Sequence, residues 1–179
     1  MLPDRAIAFR PVAASDLRLL ESWLALPHNL KWWGAPEEEL GKIRDMLEGR
    51  DTTKPYIFTV SGDDIGYIQS WRIADYSDTD LAHDYPWLKA LPADAVGIDL
   101  TIGDADKLSK GIGTAVLNAF VRDLLALGHK TIIIDPDPAN ARAIRAYEKT
   151  GFRIIPHLLG KSGDSLLMQY QLNETEPAT

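Results

Sequence analysis

The spacing of hydrophobic residues in the first half of the chain predicts two helices and a hairpin. Alternation over residues 7–12, IAFRPV, predicts a short strand, and apolar residues at helical spacing over 15–26 predict a helix. That helix would be capped by Ser15 or Asp16 and ended by Pro27. A second helical pattern covers 37–49, and the β-rich runs 55–60 and 65–71 flank the turn sequence SGDD.

The second half begins with a strongly alternating strand, VGIDLTIG, over residues 96–103. One face of this strand carries four aliphatic residues, and Gly97, Asp99 and Thr101 lie on the other. A helix ending at Gly128 follows, then a strand at 130–136, a helix from Asn140 to Gly151, and strands at 152–156 and 165–172. This order predicts an α+β fold around a mixed, mostly antiparallel sheet with one βαβ unit.

Length and composition indicate one domain over residues 1–179, with 173–179 as a flexible tail. The chain has no cysteine, which excludes disulfides and cysteine-ligated metals, and its four histidines lack ligand spacing, so we expect no metal site. No apolar run is long enough to span a membrane and no export signal is visible. We therefore expect a cytoplasmic protein that does not bind membranes.

The net charge of −7 is concentrated in one region. Between Asp75 and Asp106 stand eight aspartates and one lysine, whereas the rest of the chain is neutral overall. Such a field repels nucleic acid and attracts cations, although a solvated acidic loop is the simpler interpretation. The irregular segment 72–95 contains much of this charge and is expected to be a long loop.

Gly111 and Gly113 stand at the start of a predicted helix, in the sequence KGIGT. Glycines at a helix N-terminus let an anion approach the free backbone N–H groups, so this turn is a candidate phosphate site. The dinucleotide and nucleoside-triphosphate fingerprints both fail, because the third glycine or the Lys-Ser/Thr pair is absent. Tight packing of the helix is the structural alternative.

The order of these parts, with the motif formed by Asn140, Ala143, Tyr147, Gly151 and Phe152, resembles the GNAT superfamily of acetyl-CoA-dependent N-acetyltransferases. The segments KWWG, GIDLTIG and IDPDPANARAIRAYEKTGF are similar to the aminoglycoside 6′-N-acetyltransferase subgroup. The chain departs from the superfamily turn at Leu108, where Arg or Gln is common, and at Ser109, where glycine is frequent.

The resemblance implies a GNAT fold with splayed central strands, acetyl-CoA as co-substrate, and direct attack by a cationic amine in a ternary complex. It implies that Asp99 binds and deprotonates the amine, directly or through water, and that Tyr147 protonates the departing thiolate. The expected coenzyme A contacts are Thr101, Ile102, Lys110, Gly111, Ile112, Gly113, Thr114, Asn140 and Ala143. The expected acceptor contacts are Trp32, Trp33, Tyr56, Asp84 and Asp135.

Each of these roles has a structural alternative. Asp99 could serve a neighbouring loop, Tyr147 could be a core tyrosine, and the tryptophans could pack beneath the second helix. Other functions that remain open are acetylation of an N-hydroxylated amine in hydroxamate-siderophore synthesis, acetylation of peptides, and a non-catalytic coenzyme-A sensor. The sequence does not indicate an oligomeric state.

Overall fold

The computed structural model describes residues 6–172, which form a seven-stranded sheet flanked by helices. The strands are β1 (Ile7–Pro11), β2 (Lys54–Val60), β3 (Asp63–Arg72), β4 (Val96–Ile102), β5 (Ile132–Ile134), β6 (Phe152–Ile154) and β7 (Met168–Tyr170). Their order across the sheet is β1-β2-β3-β4-β5-β7-β6. Only β4 and β5 pair in parallel, so the expected mostly antiparallel sheet with one βαβ unit is confirmed.

The α-helices are α1 (Leu17–Leu24), α2 (Pro27–Trp33), α3 (Pro36–Leu47), α4 (Leu81–Asp84), α5 (Ile112–Ala126) and α6 (Ala141–Thr150). Helix α6 begins where the sequence predicts, because the Asn140 side chain accepts a hydrogen bond from the N–H of Ala143 at 3.2 Å. It ends at Gly151, whose φ of 108° is left-handed.

The two faces of the sheet are covered by different helices. On one face α5 and α6 pack against a core that includes Phe58, Ile98 and Val116. On the other face α1 and α3 cover Ile57 and Tyr67. Because side chains alternate along a strand, neighbouring residues of β3 and β4 point into different cores.

The sheet opens between β4 and β5. Pairing in the described part of the chain is limited to Val96 with Ile132 and Gly97 with Ile133, although β4 continues to Ile102. The alternation of hydrophobic residues does not indicate this early end of pairing, but the splayed central strands that the family resemblance implied are confirmed by it. One edge of the carboxyl half of β4 is left open.

Two segments differ from the sequence predictions. Pro27 does not simply end a helix: it is the first residue of α2, a position that proline tolerates because the first N–H of a helix has no intrahelical partner anyway. The segment 72–95 also contains α4 and two short 3₁₀ helices, Ile73–Asp75 and Pro86–Ala90. It is therefore an ordered excursion packed on Ile133 and Leu167 rather than an open loop.

Candidate active site

A cleft of about 340 Å³ lies at the opening between β4 and β5. Its walls come from the carboxyl half of β4, the turn before α5, and one side of α6. Helix α2 contributes His28, Asn29, Trp32 and Trp33. The open strand edge and the helix N-terminus thus face the same space.

The N-terminus of α5 carries free backbone donors at this cleft. Gly111 is its N-cap in the left-handed conformation, with φ of 76°, and no side chain caps the helix. A Cβ on Gly113 would meet only the Cδ1 atom of Ile102, at 3.9 Å, so the approach to the first turn is open. These features fit an anion on the helix N-terminus, and Leu108 and Thr114 also line this end of the cleft.

Ser109 has φ of 59°, a left-handed conformation that side chains rarely adopt. This explains why the family often has glycine here. In this chain a serine takes the left-handed backbone conformation at that position of the turn.

Of the other residues expected to contact coenzyme A, some line the cleft and others do not. Thr101, Ile102, Asn140 and Ala143 line the cleft, but Lys110 is exposed outside it and the Ile112 side chain is buried in the core. Only the backbone of Ile112 is available to a ligand. The side-chain oxygen of Asn140, Oδ1, is used to cap α6.

Sequence reasoning missed a basic face on α6. Arg142, Arg145 and Lys149 all line the cleft, at the spacing that places residues on one side of a helix. The helical spacing of these cations, next to the Asn140 motif, was the signal available in the sequence. Together with the α5 N-terminus they make the cleft suited to a polyanionic ligand.

Helix α2 fixes the end of β4. The Ile102 carbonyl accepts hydrogen bonds from Asn29 Nδ2 at 3.1 Å and lies 2.9 Å from His28 Nε2. The Thr101 hydroxyl donates to Asn29 Oδ1. Both polar atoms of the Asn29 amide are therefore satisfied although the residue is buried.

Asp99 lies on the face of β4 opposite the α5 core and is held by donors from β3. Its Oδ2 accepts hydrogen bonds from Gln69 Nε2 at 2.8 Å and from Trp71 Nε1 at 3.0 Å. Burial raises the pKa of the Asp99 carboxyl, and the hydrogen bonds from Gln69 and Trp71 oppose that rise. Sequence reasoning named neither donor, although β3 runs antiparallel to β4 and the two residues share a face.

Asp135 follows β5 and is close enough to Asp99 for the two charges to interact. Burial, and then the charge of Asp99, raise the pKa of Asp135 to about 8, which the Ser165 side chain partly opposes. Two carboxylates with raised pKa values at one location favour a cationic guest.

Tyr147 connects the cleft to the two carboxylates. It lines the cleft, only 8% of its surface is exposed, and its ring packs against Phe152 with centroids 6.3 Å apart. Burial raises the pKa of its phenol, and the charges of Asp99 and Asp135 add to the rise. The hydroxyl therefore stays protonated and can donate.

The remaining expected acceptor residues are not brought together. Trp32 and Trp33 line the cleft, and Trp33 also packs edge-on against Tyr67, with ring centroids 5.7 Å apart. Tyr56 points to the opposite face of the sheet from Asp99, where it contacts Phe120. Asp84 is exposed at the end of α4, outside the cleft.

Within residues 6–172 no helix is long and apolar enough to cross a membrane. The same residues contain no cluster of three or more acidic or histidine side chains placed to hold a metal ion.

The sequence and the fold match known acetyltransferases. Residues 12–158 match the family described as Acetyltransferase (GNAT) domain. Aminoglycoside N(6′)-acetyltransferase type 1 of Klebsiella pneumoniae is 34% identical over 155 residues, which cover 82% of this chain and 74% of that protein. N-hydroxyputrescine acetyltransferase of Acinetobacter baumannii is 32% identical over 93 residues, which cover 48% and 44%.

A solved structure of AAC(6′)-Ib in complex with paromomycin and acetyl-CoA superposes with a TM-score of 0.79. Its sequence is 26% identical, and the superposition covers 97% of this chain and 99% of that one. The resemblance inferred from the motifs and the fold that it implied are both confirmed. With a family match over most of its length, this chain belongs to the GNAT family of acetyltransferases.

Proposed function

We propose that this protein transfers the acetyl group of acetyl-CoA to the 6′-amine of aminoglycosides or closely similar polycationic amines. The observation that carries the proposal is the proximity of Asp99 and Asp135 to Tyr147: the charges of both carboxylates act on the Tyr147 phenol, and Tyr147 lines the cleft. Relatives and a structural neighbour with this chemistry support the same acceptor.

The cleft fits acetyl-CoA, which supplies an acetyl thioester when bound. The uncapped N-terminus of α5 would hold the pyrophosphate through backbone N–H groups at Ile112, Gly113 and Thr114. Arg142 and Lys149 would neutralise further phosphate charge. The open edge of β4 offers backbone groups to the amide-containing arm of the coenzyme.

The acceptor side of the site must bind a cation and then remove its proton. Asp99 would take the proton of the attacking ammonium, directly or through one water. Its raised pKa makes it a better base than an ordinary aspartate. Asp135 would hold a second ammonium of the same molecule, because an opposite charge relieves the interaction between the two carboxylates.

Tyr147 is suited to return a proton to the leaving sulfur. Tyr147 lines the cleft from the side of α6, and the raised pKa of its phenol keeps the hydroxyl protonated. Trp32 and Trp33 would pack on the sugar rings at the cleft wall. We keep a cytoplasmic location within this proposal, because the reaction consumes a coenzyme that cells make in that compartment.

The test is thiol release from acetyl-CoA with kanamycin, tobramycin, N-hydroxyputrescine, N-hydroxylysine and a short basic peptide as parallel acceptors. We expect release with the two aminoglycosides, and mass spectrometry should locate the acetyl group at the 6′-amine. Release only with the N-hydroxylated amines would overturn the acceptor and favour the class to which the Acinetobacter relative belongs.

An Asp99→Asn variant separates the enzyme from a coenzyme-A sensor. It should bind acetyl-CoA normally while turnover falls by about 10²–10⁴-fold, the usual cost of losing a general base. Unchanged turnover in this variant would remove Asp99 from the mechanism.

A further inference from the structure

We propose that Tyr67, Gln69 and Trp71 form a positioning relay that holds Asp99 through Oδ2 alone and reserves Oδ1 for the acceptor amine. This inference rests on the proposed function, but it concerns residues of β3 to which the sequence assigned no role. It explains why a carboxylate that must receive a cation is already engaged by two donors.

The direction of each hydrogen bond in the relay is fixed by its chemistry. An ionised carboxylate can only accept, so the Gln69 amide must turn its NH₂ group towards Asp99. Its carbonyl oxygen then faces the hydroxyl of Tyr67, which donates to it at 2.6 Å. If the amide were reversed, two acceptors would face each other at Asp99.

Tyr67 is built to remain a donor. Only 1% of its surface is exposed, and burial, followed by the charge of Asp99, raises the pKa of its phenol well above the ordinary value. The other acceptor near its hydroxyl is the Met46 sulfur at 3.8 Å, a much weaker partner. Trp33 packs edge-on against its ring and limits its movement.

Trp71 supplies the second donor, and its indole has room to lie over β4 because residue 97 of that strand is a glycine. Its ring lies across Gly97, where a Cβ would stand 2.1 Å from the indole Cε2 atom. Tyr76 packs edge-on against the same ring at 5.8 Å between centroids. The indole N–H is thereby aimed at Oδ2, as the Gln69 amide is.

Both donors bind the same oxygen. Oδ1 accepts no hydrogen bond from any side chain or backbone group in residues 6–172. A carboxylate fixed at one oxygen keeps one rotamer and leaves the other oxygen with its lone pairs available. The relay thus selects which Asp99 atom meets the acceptor nitrogen, and Gln69, Trp71 and Tyr67 act through Asp99 rather than on the substrate.

The charged and titratable groups facing Asp99 come from four other elements. They are Glu39 and Lys42 of α3, Tyr67 of β3, Asp135 after β5, and Tyr147 of α6. Replacing Trp71 leaves these groups and their side-chain hydrogen bonds to one another in place, whereas replacing Gln69 also removes the acceptor of the Tyr67 hydroxyl. Trp71→Phe therefore isolates the effect of one donor.

The experiment compares kcat/KM against pH for the unmodified enzyme, Gln69→Leu, Trp71→Phe and Tyr67→Phe, with acetyl-CoA and kanamycin. Gln69→Leu and Trp71→Phe each remove a donor to the carboxylate, and Tyr67→Phe removes the hydroxyl that orients the Gln69 amide. Each change favours the protonated form of Asp99, so the acid side of each profile should move to higher pH. We expect a loss of about tenfold at pH 6 that shrinks as the pH rises. Ionisation of the substrate amine affects every variant equally at a given pH, so it cancels when the kcat/KM of a variant is divided by that of the unmodified enzyme.

Tyr76→Phe is the matched control, because it removes a half-buried hydroxyl beside Trp71 that bonds to Thr53 and Asp51 instead of to the relay. If the relay residues merely stabilise the fold, replacing them should lower kcat/KM equally at all pH values, and Tyr76→Phe should have the same effect. That result would overturn the proposal.

A second readout does not need turnover. The ¹³C NMR signal of the Asp99 carboxyl, assigned by comparison with Asp99→Asn, should titrate at higher pH in Gln69→Leu and Trp71→Phe than in the unmodified protein. Unshifted midpoints would overturn the relay even if the enzyme acetylates kanamycin. Shifted midpoints in a protein inactive on every amine would support the relay and contradict the proposed function. If Gln69→Leu does not fold, Trp71→Phe, which keeps a ring over Gly97, decides the question.

Discussion

The indole of Trp71 occupies the space that a side chain at Gly97 would need, since a Cβ there would lie 2.1 Å from the ring. Gly97→Ala is therefore expected to push the indole away from Asp99 and to lower the free energy of unfolding by about 1–3 kcal/mol, the usual cost of overpacking. Activity should fall with it, measured as kcat/KM beside thermal unfolding.

Gly41→Ala is the matched control for that change. Gly41 lies in α3, and nothing stands within 4 Å of a Cβ built on it. Because alanine favours a helix more than glycine does, this variant should be equal or greater in stability and fully active. Equal behaviour of the two alanine variants would contradict the proposed contact.

Tyr147→Phe should separate proton donation from packing. The phenylalanine ring can keep the contact with Phe152, so the unfolding temperature should change little. We expect kcat to fall by about 10²-fold, with KM for acetyl-CoA nearly unchanged, because only a proton donor has been lost. A large rise in KM with an unaltered kcat would instead assign the hydroxyl to binding.

Asp135 should make the protein less stable as the pH rises from about 4 to 8. Its folded pKa of about 8 is above the unfolded value of 3.8, so over that interval the folded state holds a proton that the unfolded state has lost. Asp135→Asn removes this linkage. The variant should therefore gain in unfolding temperature relative to the unmodified protein between pH 5 and pH 8.

The exposed carboxylate of Asp84 provides the comparison, because Asp84→Asn makes the same chemical replacement at a site in contact with solvent. The difference in unfolding temperature between Asp135→Asn and the unmodified protein should depend on pH. An identical difference at pH 5 and pH 8 would show that burial of this carboxylate does not affect stability.

The basic face of α6 should control affinity for the coenzyme. Lys149→Ala is expected to raise KM for acetyl-CoA by roughly three- to tenfold with little change in kcat, because Lys149 lines the cleft and has no part in the proposed proton transfers. The increase should shrink as salt is added, since the missing attraction is screened. Lys161→Ala, an exposed change outside the cleft, should leave KM unaltered at every salt concentration.

The parts of the fold that depend on local chemistry could be predicted from the sequence. Asn140 marks the start of α6 because its side chain accepts a hydrogen bond from a free backbone N–H, and Gly151 marks the end because glycine readily adopts the left-handed conformation found there. The alternation along Val96–Ile102 determines the face of β4 on which Asp99 lies. Helix α1 ends before Pro27, as the sequence predicts, but Pro27 does not by itself reveal that α2 begins there, because proline is compatible both with the end of one helix and with the first residue of the next.

The parts that depend on pairing between distant segments could not be predicted so well. The face on which Tyr56 lies follows from its position opposite Ile68, a register fixed by the hairpin and its irregularity at Phe58/Thr59. In the sequence, the pattern of Arg142, Arg145 and Lys149 is that of an ordinary solvated helix face. Only the position of α6 beside the opened strand places them on the cleft.

The early end of pairing between β4 and β5 has a consequence for the stability of the protein. Among the described residues, the two halves of the sheet are joined through only two residue pairs between β4 and β5, so a coenzyme bound along the free edge would act as an additional strand. Ligand at 100 times its dissociation constant adds about 2.7 kcal/mol to the stability of the form that binds it. The resistance of this enzyme to unfolding would then rise and fall with the concentration of coenzyme around it.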